Sequence, residues 1–82
     1  MGTRVYLLIN TVEGKAKQVA TILRGQPGIT FVDCVEGPPD IIMMVEAENQ
    51  QAIARLTIQA LASVENLTTD IRFLPVSNDG KQ

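Results

Sequence analysis

The sequence predicts an α+β sandwich in which four antiparallel strands form one sheet and two helices cover one of its faces. Its 82 residues contain four short apolar segments, interrupted by two segments with helical periodicity. The second and third apolar segments are joined by a short turn, which favours an antiparallel hairpin because a parallel connection needs a long crossover. A chain of this length is one small domain.

The first half of the chain predicts a strand, a helix and a second strand. Arg4–Thr11 is apolar and rich in strand-forming residues. Apolar residues then recur at the spacing of one helical face, namely Ala16, Val19, Ala20 and Leu23. Gly25–Gly28 contains proline as well as glycine and ends this helix. Ile29–Glu36 is the second predicted strand.

The second half of the chain repeats that order. The continuous apolar run in Ile41–Glu46 follows a turn and predicts a strand buried on both faces. Asn49 is a favourable N-cap for a second helix, whose apolar stripe consists of Ile53, Leu56, Ala60, Leu61 and Val64. Leu67–Leu74 predicts a fourth strand that ends before a proline. We therefore expect one folded domain over residues 1–75 and a disordered polar tail over residues 76–82.

Two similar halves of this kind, joined by right-handed crossovers, form a four-stranded antiparallel sheet with both helices on the same face. This is the ferredoxin-like layout, in which the first and third strands are central. These two strands are also the most apolar in the chain, so the element order and the hydrophobic pattern predict the same fold.

The composition argues against several classes of function. A net charge of −2 and an isoelectric point near 4.9 argue against nucleic acid as a direct partner, because phosphate binding depends on Lys and Arg. The chain has no histidine and a single cysteine, Cys34, which is predicted to be a small core residue. We therefore expect no metal site, no cofactor and no enzymatic activity. No signal peptide or membrane span is recognised, and we expect a cytoplasmic protein.

Both faces of the two predicted central strands are apolar. Two helices, each about 10 Å across, cover four strands at about 4.8 Å spacing only once. Each large apolar side chain left in water on the other face would forgo about 1.5–3 kcal/mol. We therefore expect a homodimer in which two sheets pack face to face, with an interface formed by Tyr6, Leu8, Ile42 and Met44.

The turn Gly37–Asp40 is the best candidate for a ligand site. Its two prolines stiffen the loop, and its glycine leaves room for a ligand to approach the backbone. Asp40 places a carboxylate at the start of a buried strand, where it can pair with an ammonium group. Two interpretations are open: a site for a small zwitterion, or a rigid hairpin whose aspartate accepts hydrogen bonds from its own turn.

Nearly the whole chain, Val5–Leu74, resembles the effector-binding (RAM) domain of the Lrp/AsnC (leucine-responsive/asparagine regulator) family, without a DNA-binding domain. The resemblance rests on VYLLINTVEGKAKQVATIL, on QPGITFVDCVEGPPDIIMMVEA and on the final helix–strand pair. It implies a ferredoxin-like dimer that often assembles into rings of dimers, such as octamers or decamers, with an amino acid or similar metabolite bound at seams between dimers. It also implies a role in transcription regulation, and a full-length regulator as a partner.

Single positions both match and depart from the family pattern. Gly37 and Asp40 match the glycine and aspartate of the family's ligand loop, whereas Pro39 stands where an aromatic residue is usual. Asp70 and Arg72 stand where small hydroxyl residues are common, and they either line the pocket or form a charged, exposed strand face. The candidate ligand-binding residues are Gly37, Pro38, Pro39, Asp40, Asp70 and Arg72.

Three other classes of protein fit parts of the pattern. An ACT domain has the same element order and binds amino acids through the loop after its first strand, here Asn10–Gly14, but it leaves the Gly-Pro-x-Asp hairpin unexplained. A ligand-free oligomerisation module needs only the apolar sheet face. Acylphosphatases need an arginine in the first strand–helix loop, and barrel-forming monooxygenases and isomerases usually carry His, Trp or Tyr near the pocket. The loop of this chain has no arginine, and the chain has no His or Trp.

Overall fold

The computed structural model describes residues 2–75 and contains the predicted elements in the predicted order. The strands are β1 (Thr3–Thr11), β2 (Ile29–Cys34), β3 (Ile41–Ala47) and β4 (Thr68–Pro75). The helices are α1 (Ala16–Arg24) and α2 (Gln50–Ala62). The predicted ferredoxin-like α+β class is confirmed. The predicted polar tail lies outside the described residues.

The sheet has the strand order β2-β3-β1-β4, and every neighbouring pair is antiparallel. β1 and β3 are central, as their apolar content predicted. Their register places Leu7 opposite Met43 and Leu8 opposite Ile42. Because residues that are directly opposite share a face of the sheet, this register separates the apolar residues of both strands into two layers.

One of these layers belongs to the core. Along β1 and β3, buried residues alternate with partly exposed ones, as expected for a sheet with one covered face. The sequence predicted burial of β3 on both faces, whereas a single chain buries one face and leaves the other partly exposed. The core consists of Val5, Leu7, Ile9, Val19, Ala20, Leu23, Ile41, Met43, Val45, Ala60 and Val64.

The start of α2 shows how a local signal in the sequence sets an element boundary. The Asn49 side chain accepts a hydrogen bond from the backbone N–H of Ala52, with Oδ1 and N 2.9 Å apart. This bond satisfies one of the N–H groups that a helix leaves without an internal partner. The predicted N-cap is therefore confirmed.

The helices cover the sheet unevenly. α1 packs on β2 and α2 packs on β3 and β1, while neither makes extensive contact with the edge strand β4. Phe73 of β4 lies opposite the buried Leu7 and so faces the helix side, yet it is 53% exposed. The expectation that two helices cover the full width is therefore wrong at β4, where a gap remains.

The second strand differs from its prediction in two ways. β2 ends at Cys34 rather than Glu36, because the chain then turns through Gly37, whose φ of +78° favours glycine. Cys34 is exposed, so its prediction as a core residue is wrong. The reason is its place at the end of an edge strand, where only Ile29 and Val32 pack partly against the core.

The last strand is shifted by one residue from its prediction. A 3-10 turn, Glu65–Leu67, takes up the start of the predicted segment, so β4 begins at Thr68. At its other end β4 includes Pro75, which pairs with Val5. A proline is tolerated there because β4 lies at the edge of the sheet.

Candidate functional site

A cavity of about 290 Å³ opens on the face of the sheet that carries no helices. We call it the open-face cavity. It lies where the β2–β3 turn meets the facing ends of β1 and β4. Its lining combines two strands and one turn: Leu8, Asn10, Pro38, Pro39, Asp70 and Arg72.

Strand pairing brings the polar residues of the open-face cavity together. Leu8 lies opposite Arg72, and Asn10 lies opposite Asp70. Alternate residues of a strand point to the same face, so all four side chains lie on the side away from the core. The buried Ile9 between Leu8 and Asn10 shows this alternation directly.

The charged side chains of the cavity, Asp70 and Arg72, both line it and are exposed, so the two interpretations left open by the sequence hold together. Among residues 2–75, the side chains of Asn10, Asp70 and Arg72 make no hydrogen bond and no ion pair. Asp70 and Arg72 are two residues apart on one strand face, a separation of about 6.6–6.8 Å along the strand. An anionic and a cationic group at this spacing can bind the two ends of a small dipolar molecule.

The two prolines form the apolar wall of the cavity, and the backbone around them is fixed by hydrogen bonds. The N–H of Val35 donates to the carbonyl oxygen of Asp40 (2.8 Å), and the N–H of Asp40 donates to the carbonyl oxygen of Ile9 (2.9 Å). The turn is thus bonded both to itself and to β1. These bonds hold the prolines at the end of β1 where the cavity lies.

Asp40 anchors the turn to the end of β1. Its Oδ2 accepts hydrogen bonds from the backbone N–H of Thr11 (2.8 Å) and from the Thr11 hydroxyl (3.3 Å). The acceptor interpretation of this residue therefore fits the geometry, but with donors on β1 rather than in its own turn. Asp40 and Gly37 belong to the same turn as the prolines without being part of the cavity lining.

Four of the six predicted ligand-binding residues therefore meet around one cavity: Pro38, Pro39, Asp70 and Arg72. Sequence reasoning assigned Leu8 to the dimer interface only and Asn10 to the alternative ACT-like loop. The signal that could have found both is the alternation of β1 combined with its antiparallel pairing to β4.

The predicted dimer interface is the apolar part of the same open face. Tyr6, Leu8, Ile42 and Met44 are all partly exposed, and the register pairs Tyr6 with Met44 and Leu8 with Ile42. Leu74, opposite Tyr6 on β4, is 50% exposed and enlarges the patch. Leu8 belongs both to this patch and to the open-face cavity.

The part of the chain that the structure describes shows neither a metal-binding cluster nor a membrane-crossing helix. Among residues 2–75, no group of three or more His, Cys, Asp or Glu side chains lies close enough to hold a metal ion. No helix within this same part of the chain is long and apolar enough to cross a membrane.

Comparisons with known proteins give a likeness in structure only. No protein-family model matches the chain, and no curated protein matches it in sequence. Among solved structures, TTHA0845 from Thermus thermophilus has a TM-score of 0.83 and 16% identity, with 98% of this chain and 99% of that chain covered. PH0061 has a TM-score of 0.80 and 17% identity, with 99% and 55% covered.

A transcriptional regulator from Neisseria meningitidis, NMB0573, was solved as a complex with L-Met. It has a TM-score of 0.74 and 15% identity, with 98% of this chain and 53% of that chain covered. The chain thus spans about half the length of this regulator and of PH0061. The structural neighbours include Lrp/AsnC-family proteins, and at these identities the likeness shows a shared fold.

Proposed function

We propose that the chain is a non-catalytic sensing and oligomerisation module that binds an amino acid in the open-face cavity. The observation that carries this proposal is a pair of opposite charges, Asp70 and Arg72, that have no protein partner among residues 2–75. The cavity that holds them is also lined by Leu8, Asn10 and two prolines. Both side chains are exposed, and a ligand with complementary charges can pair with them.

The chemistry of each group assigns the ligand's orientation. The Arg72 guanidinium binds the ligand carboxylate, because its planar fork matches the two carboxylate oxygens. Asp70 accepts hydrogen bonds from the ligand ammonium, and the Asn10 amide adds a donor and an acceptor. Leu8, Pro38 and Pro39 contact the ligand side chain. A volume near 290 Å³ lies at the lower limit of about 300–1,000 Å³ for small-molecule sites, which suits a single amino acid.

The likeness to known structures supports the same function. The fold is shared with Lrp/AsnC-family proteins, and one regulator of this fold was solved with L-Met. By analogy, we propose a cytoplasmic module with a role in transcription regulation, acting through its own assembly or through a partner regulator. Fold analogy is weaker than site chemistry as support for function, so the charged pair remains the main argument.

Assembly is the second part of the proposal. Two open faces pack against each other to form a homodimer, and dimers associate further into rings. This packing removes a contiguous apolar patch from water, and patches of this kind usually mark protein interfaces. The patch consists of Tyr6, Leu8, Ile42, Met44 and Leu74. Because Leu8 contacts both the cavity and the patch, a bound effector would change the packing at the dimer seam.

The test is a thermal-shift screen of the standard amino acids followed by calorimetry, because a bound effector raises stability by mass action. Arg72→Gln and Asp70→Asn are each expected to weaken the best ligand about tenfold or more, since a charge-assisted hydrogen bond contributes about 1.5–3 kcal/mol. Lys17→Gln removes a charge from the exposed face of α1 and should leave the affinity unchanged. Absence of binding by every amino acid would contradict the proposal.

A ligand-free oligomerisation module is the second candidate, favoured by the exposed Leu74 beside the predicted interface residues. It predicts a dimer whose stability does not respond to any amino acid. The ACT-like alternative draws support from Asn10, which lines the cavity, but residues 11–14 of its ligand loop do not. Gly14→Ala would weaken the ligand under that alternative and not under ours.

A further inference from the structure

One row of side chains crosses the open face of the sheet from edge to edge. Residues that are directly opposite on neighbouring strands share a face, and the registers of the three strand pairs define the row. Its members, from β2 to β4, are Asp33, Ile42, Leu8 and Arg72. This mixed row has a carboxylate at one end, an apolar middle and a guanidinium at the other end, roughly 14 Å away at about 4.8 Å per strand spacing.

The next two rows repeat this division of charge. The adjoining row is apolar throughout and consists of Phe31, Met44, Tyr6 and Leu74. In the outer row beyond it, Glu46 of β3 lies opposite Arg4 of β1. In the mixed and outer rows, the acidic group lies on the β2–β3 half of the sheet and the basic group lies on the β1–β4 half. Asp70, opposite Asn10, lies on the other side of the mixed row and outside this block.

The four charged side chains of these rows are available to a partner. Arg4, Asp33, Glu46 and Arg72 are all exposed. Among residues 2–75, none of them makes a hydrogen bond or an ion pair through its side chain. Charges arranged around an apolar patch determine which partner an interface accepts and in which register, so their pattern bears on what covers the open face.

A second copy of the chain can cover the open face in two aligned ways. Closed dimers have two-fold symmetry, and the strands of two aligned sheets run in nearly the same direction. With the two-fold axis parallel to the strands, β2 covers β4 of the partner, β3 covers its β1, and each row covers the same row. With the axis across the strands, each strand covers its own copy and the rows run in reverse order.

The first of these arrangements brings opposite charges together. It places Asp33 beside Arg72 of the partner subunit and Glu46 beside Arg4 of the partner subunit, each twice by symmetry. It also places the apolar row on the apolar row. The second arrangement, centred on the mixed row, brings Asp33 to its own copy and Arg72 to its own copy, and like charges in contact are unfavourable. Shifted toward the apolar row, it presses these charges against apolar side chains, which is also unfavourable.

We propose that the open face selects a second copy of this chain, packed with the two-fold axis parallel to the strands and held in register by two kinds of charge pair. These are Asp33 with Arg72 and Glu46 with Arg4, each between subunits. The inference rests on the homodimer of the proposed function and adds its orientation and its choice of partner. Arg72 also lines the open-face cavity, and a guanidinium has five donors. The partner's carboxylate therefore completes the cavity, and the whole site exists in the dimer.

Charge reversal tests this orientation by mixing two variants. Asp33→Lys brings two cations together at the seam, and Arg72→Glu brings two anions together, so each variant alone should dimerise at least about tenfold more weakly than the unmodified chain. In an equal mixture, the two substituted residues face each other and the two unmodified ones face each other. The mixed dimer should therefore recover an affinity within about threefold of the unmodified dimer. Native mass spectrometry distinguishes mixed from unmixed dimers, and sedimentation equilibrium measures their affinities.

The outer row provides a second pair of variants and a crossed control. Arg4→Glu and Glu46→Lys should each weaken the dimer and should recover it when mixed with each other. Asp33→Lys mixed with Arg4→Glu should stay weak, because these two positions do not face each other. Neutralisation is a weaker test than reversal: an exposed ion pair contributes little, so Asp33→Asn should weaken the dimer less than about fivefold.

Three results would overturn this arrangement. One is a mixture of Asp33→Lys and Arg72→Glu that dimerises as weakly as either variant alone. Another is full recovery when Asp33→Lys is mixed with the unmodified chain, as an axis across the strands requires. The third is recovery in the crossed control, as orthogonal sheets require. If Tyr6→Asp disrupts the dimer of the unmodified chain, each of these results refutes the orientation and leaves the proposed homodimer in place. A monomeric unmodified chain refutes both.

Discussion

The open-face cavity and a second, helix-side groove lie on opposite faces of the same two strands, β1 and β4, and their linings differ in kind. The helix-side groove, of about 490 Å³, runs between α2 and β4, and its lining includes Ile53, Ile58 and Phe73. Asp70 and Arg72 point to one face, whereas Ile71 and Phe73 point to the other. The first site is small and charged, and the second is larger and mostly apolar. Strand alternation therefore divides one edge of the sheet into two chemically distinct surfaces.

The comparison also separates two causes of exposure. On the open face, apolar side chains are exposed because no helix lies there, so a second copy of the chain is the expected cover. On the helix side, Phe73 and Ile58 are exposed because α2 packs on β3 and β1 rather than on β4. The first exposure spans the whole sheet and suits a protein partner, while the second is a groove of ligand size.

The largest expected effect distinguishes the two faces at neighbouring positions. Leu7 is fully buried, so Leu7→Ala should lower the free energy of unfolding by about 2–5 kcal/mol. Leu8→Ala, one residue along on the open face, should lower it by less and should weaken self-association instead. Chemical denaturation of both variants checks the difference. Equal losses would contradict the assignment of the two faces.

The next largest effect concerns assembly. Tyr6→Asp places a charge in the middle of the open apolar patch, where burial without a partner is strongly unfavourable. Sedimentation equilibrium should show the mass of a monomer for this variant and a multiple of that mass for the unmodified chain. Gln18→Asp, on the exposed face of α1, is the control and should assemble normally. A monomeric unmodified chain would refute the proposed dimer.

A smaller effect is expected at the turn. Asp40→Asn weakens the two hydrogen bonds to Thr11, and we expect a loss of about 1–2 kcal/mol in the free energy of unfolding. Because Asp40 is not in the cavity lining, amino-acid affinity should change little. Asp33→Asn, at an exposed position on β2, is the control for the change of charge. A loss of binding much larger than the loss of stability would instead assign the ligand ammonium to Asp40.

The smallest expected effect is a gain, rather than a loss, in the free energy of unfolding. Thr57→Val removes a buried hydroxyl that has no hydrogen-bond partner among residues 2–75, and we expect the free energy of unfolding to rise by about 1 kcal/mol, the lower limit for an unsatisfied buried group. Thr21→Val breaks a hydrogen bond and should not stabilise. Thermal denaturation distinguishes the two variants. A destabilised Thr57→Val would mean that the hydroxyl has a partner in solution.

Much of this fold was predictable because its signals are local. The periodicities, the Asn49 cap and the Gly37–Asp40 turn each identify an element or its end without reference to the rest of the chain. The prediction that Cys34 is a core residue was wrong for the opposite reason. Burial at this position depends on how far α1 extends over an edge strand, which is not a local property. The gap beside β4 was likewise not predictable from helix count alone, because helix placement depends on tertiary packing.

The residues of the candidate site also fall into two groups: those that the sequence predicted and those that required the structure. Pro38, Pro39, Asp70 and Arg72 were selected from the sequence, although the turn and the last strand are far apart along the chain. Leu8 and Asn10 joined them only through the register of β1 with β4. A pairing register is a property of the whole sheet, so their place in the cavity required the structure.

One calorimetric comparison tests the proposed function most directly: the affinity of the strongest-binding amino acid against that of its amide, for the unmodified chain and for Arg72→Gln. If Arg72 binds the ligand carboxylate, the unmodified chain should prefer the acid about tenfold or more, and the variant should bind acid and amide almost equally. An acid preference of the same size in both proteins would contradict the role assigned to the charged pair.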